Sequence, residues 1–577
     1  MTDTLVHNAA PGVRDNWSSP VHGLIDKYEQ LLSEHRAMFP DLYRIIELKR
    51  QNATTVAEAK SMPSGTSTIC QNSLLERPLR GKELRARMRE GHHEIRQQVV
   101  SMNAEIIPRT QAHNRKSSCA TIEEERNFRS EIVGAKIRAW RSLLPNLIKQ
   151  LSRIPDPRRA KSVKHKLTVL MMFGLFGFIF RLSSRREMNR ELTGALIHEN
   201  LKRIFPEIET IPHADTLARL LEGTNPHDIE AIHIGLIKEL IKNKKFKNVL
   251  IHGCLPVTID GTQKLYRDGL LQDGQWCERK VGKSKAEDVQ QYIYVLEANI
   301  TLKNGLTIPL MTEYLYREHN ELLQPTGKQD SETTALERMI PRLKKYFPRQ
   351  KMIFFLDGMY ATQPVMGMLH ANCFEYLIKF PKEKLKDLAK YFNKNKSMSS
   401  PVPDQPAYRK RIQEFYWENN IPYGHEWQLS INLVGCVEQY HVVNPKTGKI
   451  VLCHSEHAWI SSISLNINNA HELCNLGARK MWFIEDSINT EKNRGYHYKH
   501  AFSYDWNGMK GFHYLMRLAH AINAISEFTK KMKRYIKEIG CSATLKIIKE
   551  TLFSPWLSLA WYEAQKLKIP QLRLQLE

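Results

Sequence analysis

The sequence predicts a mixed α/β chain with helices in front, an α/β core behind them, and a mostly β segment inserted into that core. Three observations carry this. Apolar residues recur at helical spacing up to about position 246. From Val249 onward the pattern turns extended and then alternates with helical stretches. Residues 381–458 open with the polar stretch NKNKSMSSPVPDQP and continue as long extended runs.

Residues 1–130 read as a helical N-terminal region. SPVHGLIDKYEQLLSEHRAMFPDLYRIIELKR carries Leu24, Ile25, Tyr28, Leu31 and Leu32 on one helical stripe. The polar stretches around ATTVAEAKSMPSGTSTIC and TQAHNRKSSC suit linkers. RPLRGKELRARMREGHHEIRQQ is a basic helix, either a solvated face or a phosphate contact. Residues 131–246 form a second helical domain. At its centre, LTVLMMFGLFGFIF spans 14 residues between Lys166 and Arg181. A bilayer span needs about 18 to 20, so this run predicts a buried core helix. Two further helices are expected, one starting near Asp215 and one after Pro226, with Asp228 near its start.

The core begins at 247. LPVTIDGTQKLYR, QQYIYVLEANI and LTIPLMTEYLYR read as strands, and Asn304-Gly305 makes a hairpin of the last two. DSETTALERMIPRLKKYFP reads as a helix capped by Asp330 or Ser331, kinked or restarted at Pro341. The strand KMIFFLD, a short helix around QPVMGMLHA and the strand FEYLIKF follow. Strand, strand, strand, helix, strand, helix, strand is the order of the ribonuclease H-like fold, an α/β fold with a mixed five-stranded sheet. That fold sets one acid on its first strand and another at the end of its fourth. Asp260 and Asp357 fall there, each followed by a glycine. The core is thus expected in two parts, 247–380 and 459–530, around the β-rich insertion 381–458, with a helical tail at 531–577.

The 577 residues carry a net charge of +24. A surplus of that size calls for a polyanionic partner, nucleic acid first of all. Nine cysteines without a CxxC pair fit free thiols in a reducing compartment. The N-terminus MTDTLVHNAAPG lacks a charged-then-apolar leader pattern, so an intracellular protein with no membrane partner is expected. GxxxxGK[ST] and GxSxG are absent, which argues against ATP use and a serine nucleophile. Cys436, Cys453, His457, His471 and Cys474 have intervals too irregular for a zinc knuckle.

Two acids seldom hold two hard cations, so a third is sought on a later helix. ELCNLGARKMWFIEDSINTEKNRG predicts that helix, with Met481, Ile484 and Ile488 inward. Glu485 and Lys492, two turns apart, share one face of it. Asp486 and Glu491 are the rival acids, and both fall off that face. Downstream, KNRGYHYKHAFSYDWNGMKGFHYLMR interleaves basic and aromatic residues, nominating Arg494, Lys499 and Lys510 for DNA contact.

TIDGTQ, FFLDGMYAT and WFIEDSINTEK resemble the three motifs of the DDE transposases of bacterial insertion sequences. The resemblance covers about residues 155–525, with IPHADTLARLL and DPRRAKSVKHKLTVLMMFGLFG similar to the helices before such cores. The family's last motif is Tyr, two residues, Arg, three residues, Glu, six residues, Lys. Glu485 and Lys492 match it; Ala478 and Met481 stand in place of Tyr and Arg, with the basic Arg479 and Lys480 close by.

The resemblance implies Asp260, Asp357 and Glu485 as catalytic metal ligands for two Mg²⁺ ions, with Mn²⁺ able to substitute. It implies DNA contacts at Lys492, Arg494, Arg479, Lys480, Lys499 and Lys510. The partners implied are transposon-end DNA and target DNA, bound by a homodimer at the nucleoid. The reaction is nicking at the element's end followed by strand transfer. The insertion is expected to hold the DNA end, with Trp417, Trp427 or Trp459 stacking on a base. The N-terminal region is expected to recognise the end. The alternatives are a nuclease of the same fold that does not join ends, and a non-catalytic DNA-binding descendant.

Overall fold

In the computed structural model the residues described are 117–268, 276–280, 289–319, 325–394, 400–401, 411–424, 429–443, 450–554, 558–568, 572 and 574. The stripe at 24–32, the basic stretch at 77–98 and Trp427 lie outside them.

Six helices come first: α1 (Ile122–Leu151), α2 (Leu167–Ile179), α3 (Arg185–Leu192), α4 (Ala195–Ile204), α5 (Ala214–Gly223) and α6 (Pro226–Lys242). Thr121 and Glu124 start α1 with a reciprocal capping box. That helix runs across position 130, joining the two regions the sequence separated there. α2 is the apolar run, and all of it except Thr168 is buried. Among the described residues no helix is long and apolar enough to cross a membrane. Asn225 caps α6 just ahead of Pro226 at its first position.

The sheet contains β1 (Leu255–Asp268), β2 (Val289–Thr301), β3 (Thr307–Leu315), β4 (Met352–Leu356), β5 (Glu375–Lys379), β6 (Ile412–Tyr423), β7 (Leu429–Val443) and β8 (Ile450–Ser461). Its spatial order is β3-β2-β1-β4-β5-β8-β7-β6. β2 is antiparallel to β1 and β3, whereas β1, β4 and β5 are parallel. Every residue of β4 is buried, as a central parallel strand covered on both faces requires. The fold is mixed α/β with a mixed sheet, and among the described residues it carries 14 α-helices. The insertion strands continue this sheet, because β8 pairs with β5 through Ile460 and Ile378. Helix α9 (Lys386–Lys394) lies ahead of them.

Helices α7 (Glu332–Tyr346), α8 (Gln363–Ala371), α10 (Phe483–Asn493) and α11 (Trp506–Glu527) complete the core. α11 packs on α2, α5, α6 and β3, so one buried helix joins the front helices to the sheet. Behind it follow α12 (Lys530–Ile539), α13 (Cys541–Leu552) and α14 (Leu559–Lys566).

β1 runs through Asp260-Gly261 to Asp268, over the whole stretch LPVTIDGTQKLYR, because β2 stays paired with it as far as Gln290. Two local expectations are corrected. α7 passes unbroken through Pro341, which is exposed, as is Glu337; water can satisfy the carbonyl that loses its donor. The stretch from 472 is not one helix. It winds as a π-helical turn (Glu472–Gly477), then 3₁₀ (Ala478–Trp482), then α10. Gly477 lies so close to the Phe355 ring that a Cβ there would collide with it, and the winding changes at that point.

Candidate active site

β1 and β4 are paired through Thr258 and Phe355. Two residues beyond each lie Asp260 and Asp357, at the same level of neighbouring strands. β4 has ended by then, so the β4-facing edge of β1 is open where the carboxylates stand. On its other edge Asp260 is paired with Glu297 of β2. Asp260 is half-buried and Asp357 is 52% exposed, 3.6 Å from the Lys379 ammonium.

Glu485 is exposed in the first turn of α10, where the helix dipole favours a negative charge. Met481, Ile484 and Ile488 are buried, so the inward stripe is as the spacing requires. The acids share one electrostatic neighbourhood. Burial, then the charges of Glu332 and Glu485, push the Asp260 carboxyl up to about 6; the Gly261 N–H opposes this and Asp357 adds to it. The rival acids are engaged elsewhere. Asp486 pairs with Arg494 at 3.1 Å. Glu491 is fully buried, 3.1 Å from Arg517 and 2.7 Å from His520.

Glu332, at the start of α7, was not singled out by the sequence. Its Oε1 accepts from the Tyr294 hydroxyl at 2.8 Å and its Oε2 from the Tyr360 hydroxyl at 2.6 Å. A Cβ at Gly261 would strike its carboxylate, so the glycine makes room for it. In the sequence it reads as an ordinary first-turn acid after the cap Ser331, which does cap the helix.

A buried ionic frame underlies these groups. Arg517 of α11 reaches Glu297 at 3.1 Å and Glu491 at 3.1 Å, and donates to Asn299 at 2.8 Å. Burial alone would raise the Glu297 carboxyl, but Arg517 and His513 hold it down to about 2. Arg517 therefore ties the strand paired with Asp260 to the helix that carries Glu485.

The basic candidates separate. Lys492 donates to the Thr262 hydroxyl, two residues past Asp260. Burial and the charge of Lys499 lower the pKa of its ammonium, and Asp260 opposes them. Arg479 turns away into the insertion, pairing with the buried Glu438 at 2.8 Å. Lys480 donates to the Lys303 carbonyl. Lys510 stacks over Tyr314 and Trp506 at 4.9 and 4.6 Å, and burial pushes it down to about 8. Trp459 is 6% exposed in the second core cluster, against which Trp417 packs. Among the described residues the exposed tryptophan is Trp482, which lines a cleft of about 910 Å³ beside Asp357 together with Lys379, Lys382 and His457.

Among the described residues, no three His, Cys, Asp or Glu side chains are drawn together tightly enough to enclose an ion. The donors around Asp260 are all carboxylate oxygens, a set that suits a hard divalent cation.

Residues 148–237 match a family model described as DDE_Tnp_1-associated, a domain found with DDE transposases. The match runs from the end of α1 into α6, the helical block directly ahead of the acids, and supports a transposase-related family. No curated protein matches the chain.

Proposed function

We propose that this chain is a DNA transposase with a ribonuclease H-like catalytic core, cutting DNA at the ends of its element and joining the freed ends to a target. The observation that carries the reading is the parallel pairing of β1 with β4, which sets Asp260 and Asp357 each two residues past the pair Thr258 and Phe355, with the charge of Glu485 also felt at Asp260. The order along the chain, three antiparallel strands, then helix, strand, helix, strand with β1, β4 and β5 parallel, is that expected of such a core and supports it. So does the transposase-associated match just upstream.

Asp260, Asp357 and Glu485 would hold Mg²⁺ or Mn²⁺. A divalent cation bound there supplies Lewis-acid stabilisation of the scissile phosphate and a more acidic nucleophilic water or 3′-hydroxyl. The chain's own groups do the rest. Lys492, poised beside Thr262, is set to neutralise a phosphate oxygen next to Asp260. The Arg517 frame ties α10, which carries Glu485, to β2, which is paired with the strand of Asp260. The partners are element-end DNA and target DNA, engaged by a dimer.

The test is an end-joining assay: the purified chain, an oligonucleotide bearing the element's terminus, supercoiled plasmid and Mg²⁺ or Mn²⁺. Covalent oligonucleotide–plasmid products are expected. Hydrolysis without joining would instead establish a nuclease of the same fold, and neither product in either metal overturns the enzymatic reading.

A further inference from the structure

We infer that Glu332 is a fourth carboxylate of this site, a positioning residue that fixes the spacing of Asp260 and Asp357 through a Tyr294–Glu332–Tyr360 bridge. The inference rests on the metal-site reading above and deepens it.

Tyr360 lies in the turn that begins at Asp357, three residues further along the chain. Tyr294 lies on β2, paired directly with Gln263 of β1. Glu332 accepts one hydrogen bond from each, at 2.6 and 2.8 Å, one per carboxylate oxygen. A single side chain thus bonds the Asp357 turn to the strand pair bearing Asp260. It does so where backbone pairing between β1 and β4 has stopped, since the last paired residues are Thr258 and Phe355. Without the bridge, no ladder bond holds the two acids at a fixed separation.

Two features show that the arrangement is specific. Gly261, next to Asp260, has no Cβ where the Glu332 carboxylate lies. Tyr360 is 1% exposed, so its hydroxyl needs a partner inside the protein, and Glu332 provides it. A carboxylate has about four lone-pair positions. Two hydrogen bonds leave acceptor capacity on Glu332, and its negative charge, felt at Asp260, adds to the field that attracts a cation.

The test is titration of the full chain with Mn²⁺ alone, read by the loss of the free-ion electron paramagnetic resonance signal. Thermal melting is recorded on the same samples. Glu332→Gln keeps the shape but removes the charge and should weaken Mn²⁺ binding by about 10- to 100-fold, the usual effect of removing an outer partner of a metal site. Tyr360→Phe should weaken it in the same direction by a smaller factor. It carries the test if the glutamate variant does not fold. A melting midpoint that drops while the Mn²⁺ titration stays at the wild-type value makes Glu332 merely structural and overturns the inference. Asp260→Asn separates the two levels. If it leaves Mn²⁺ binding intact, the metal-site reading falls and this inference with it. If it abolishes binding while Glu332→Gln does not weaken it, only the inference falls.

Discussion

Asp260 and Asp357 occupy the same level of two parallel neighbouring strands, each two residues past the last ladder pair, Thr258 and Phe355. Nearly a hundred residues of chain separate them, and the parallel pairing of β1 with β4 brings them to the same end of that strand pair. If both ligate the same cation, their losses should look alike. Asp260→Asn and Asp357→Asn should each lower cleavage of end DNA by at least about a hundredfold, the effect of losing ~3 kcal/mol of transition-state stabilisation. DNA affinity in gel-shift titrations should stay at the wild-type level. Normal cutting by either variant removes that residue from the site.

The half-buried position of Asp260 gives the site a pH signature. Its carboxyl titrates near 6 in the fold against an ordinary value of 3.8. The fold therefore favours the protonated form. That contribution to stability is complete below about pH 4 and disappears as pH rises through about 6. Asp260→Asn has no such group, so its melting midpoint should gain on the wild type between pH 4 and 7 in the absence of metal. Cation binding needs the ionised form, so Mg²⁺ should raise the wild-type midpoint at pH 7 far more than at pH 5. A Mg²⁺ effect that is equal at both values would contradict the assignment.

Three acids of α10 should respond in three different ways. Glu485→Gln should abolish cleavage without unfolding the protein, because Glu485 is exposed and its charge is felt at Asp260. Asp486→Asn should leave cleavage unchanged, since it removes only an exposed pair with Arg494, worth at most ~1 kcal/mol. Glu491→Gln should act on stability first. It leaves the buried Arg517 with Glu297 as its remaining carboxylate partner, and breaking such a pair costs about 3–5 kcal/mol. Cleavage assays beside thermal melts distinguish the three.

How much of this was legible beforehand follows from which interactions are local. The β2–β3 hairpin was readable because Asn304-Gly305 specifies its turn, and Gly305 indeed has φ of +89°. α2 was readable because almost every residue in it is apolar and buried. Asp260 and Asp357 stood out because each interrupts an apolar run. Glu332 did not, because nothing local distinguishes it from any first-turn glutamate; its role depends on Tyr294 and Tyr360, 38 and 28 residues away. Arg479 is the converse case. A basic residue near a catalytic motif reads as a phosphate contact, and its partner Glu438 lies 41 residues upstream on β7.

That contrast between Arg479 and the lysines near Asp260 leads to a prediction with opposite readouts. Arg479 has a side chain only 9% exposed and is paired with a fully buried Glu438, which also holds Arg411. Arg479→Ala should therefore destabilise the β6–β7–β8 part of the sheet, toward the lower end of the ~3–5 kcal/mol for opening a buried pair because Arg411 remains. It should hardly change the dependence of DNA affinity on salt. Lys499 is exposed, and its charge lowers the pKa of Lys492 beside Asp260. Lys499→Ala should leave melting unchanged and reduce the slope of log affinity against log salt by about 1, as loss of one phosphate contact does. Lys510 belongs with Arg479 in this respect. Packed between Tyr314 and Trp506 and pushed down to about 8, it disfavours the folded state when charged, so Lys510→Met should raise the melting midpoint at pH 7. A reversal, with Arg479→Ala changing the salt slope and Lys499→Ala changing only the melt, would mean that DNA runs over the insertion sheet and not along the face that α10 shares with β1.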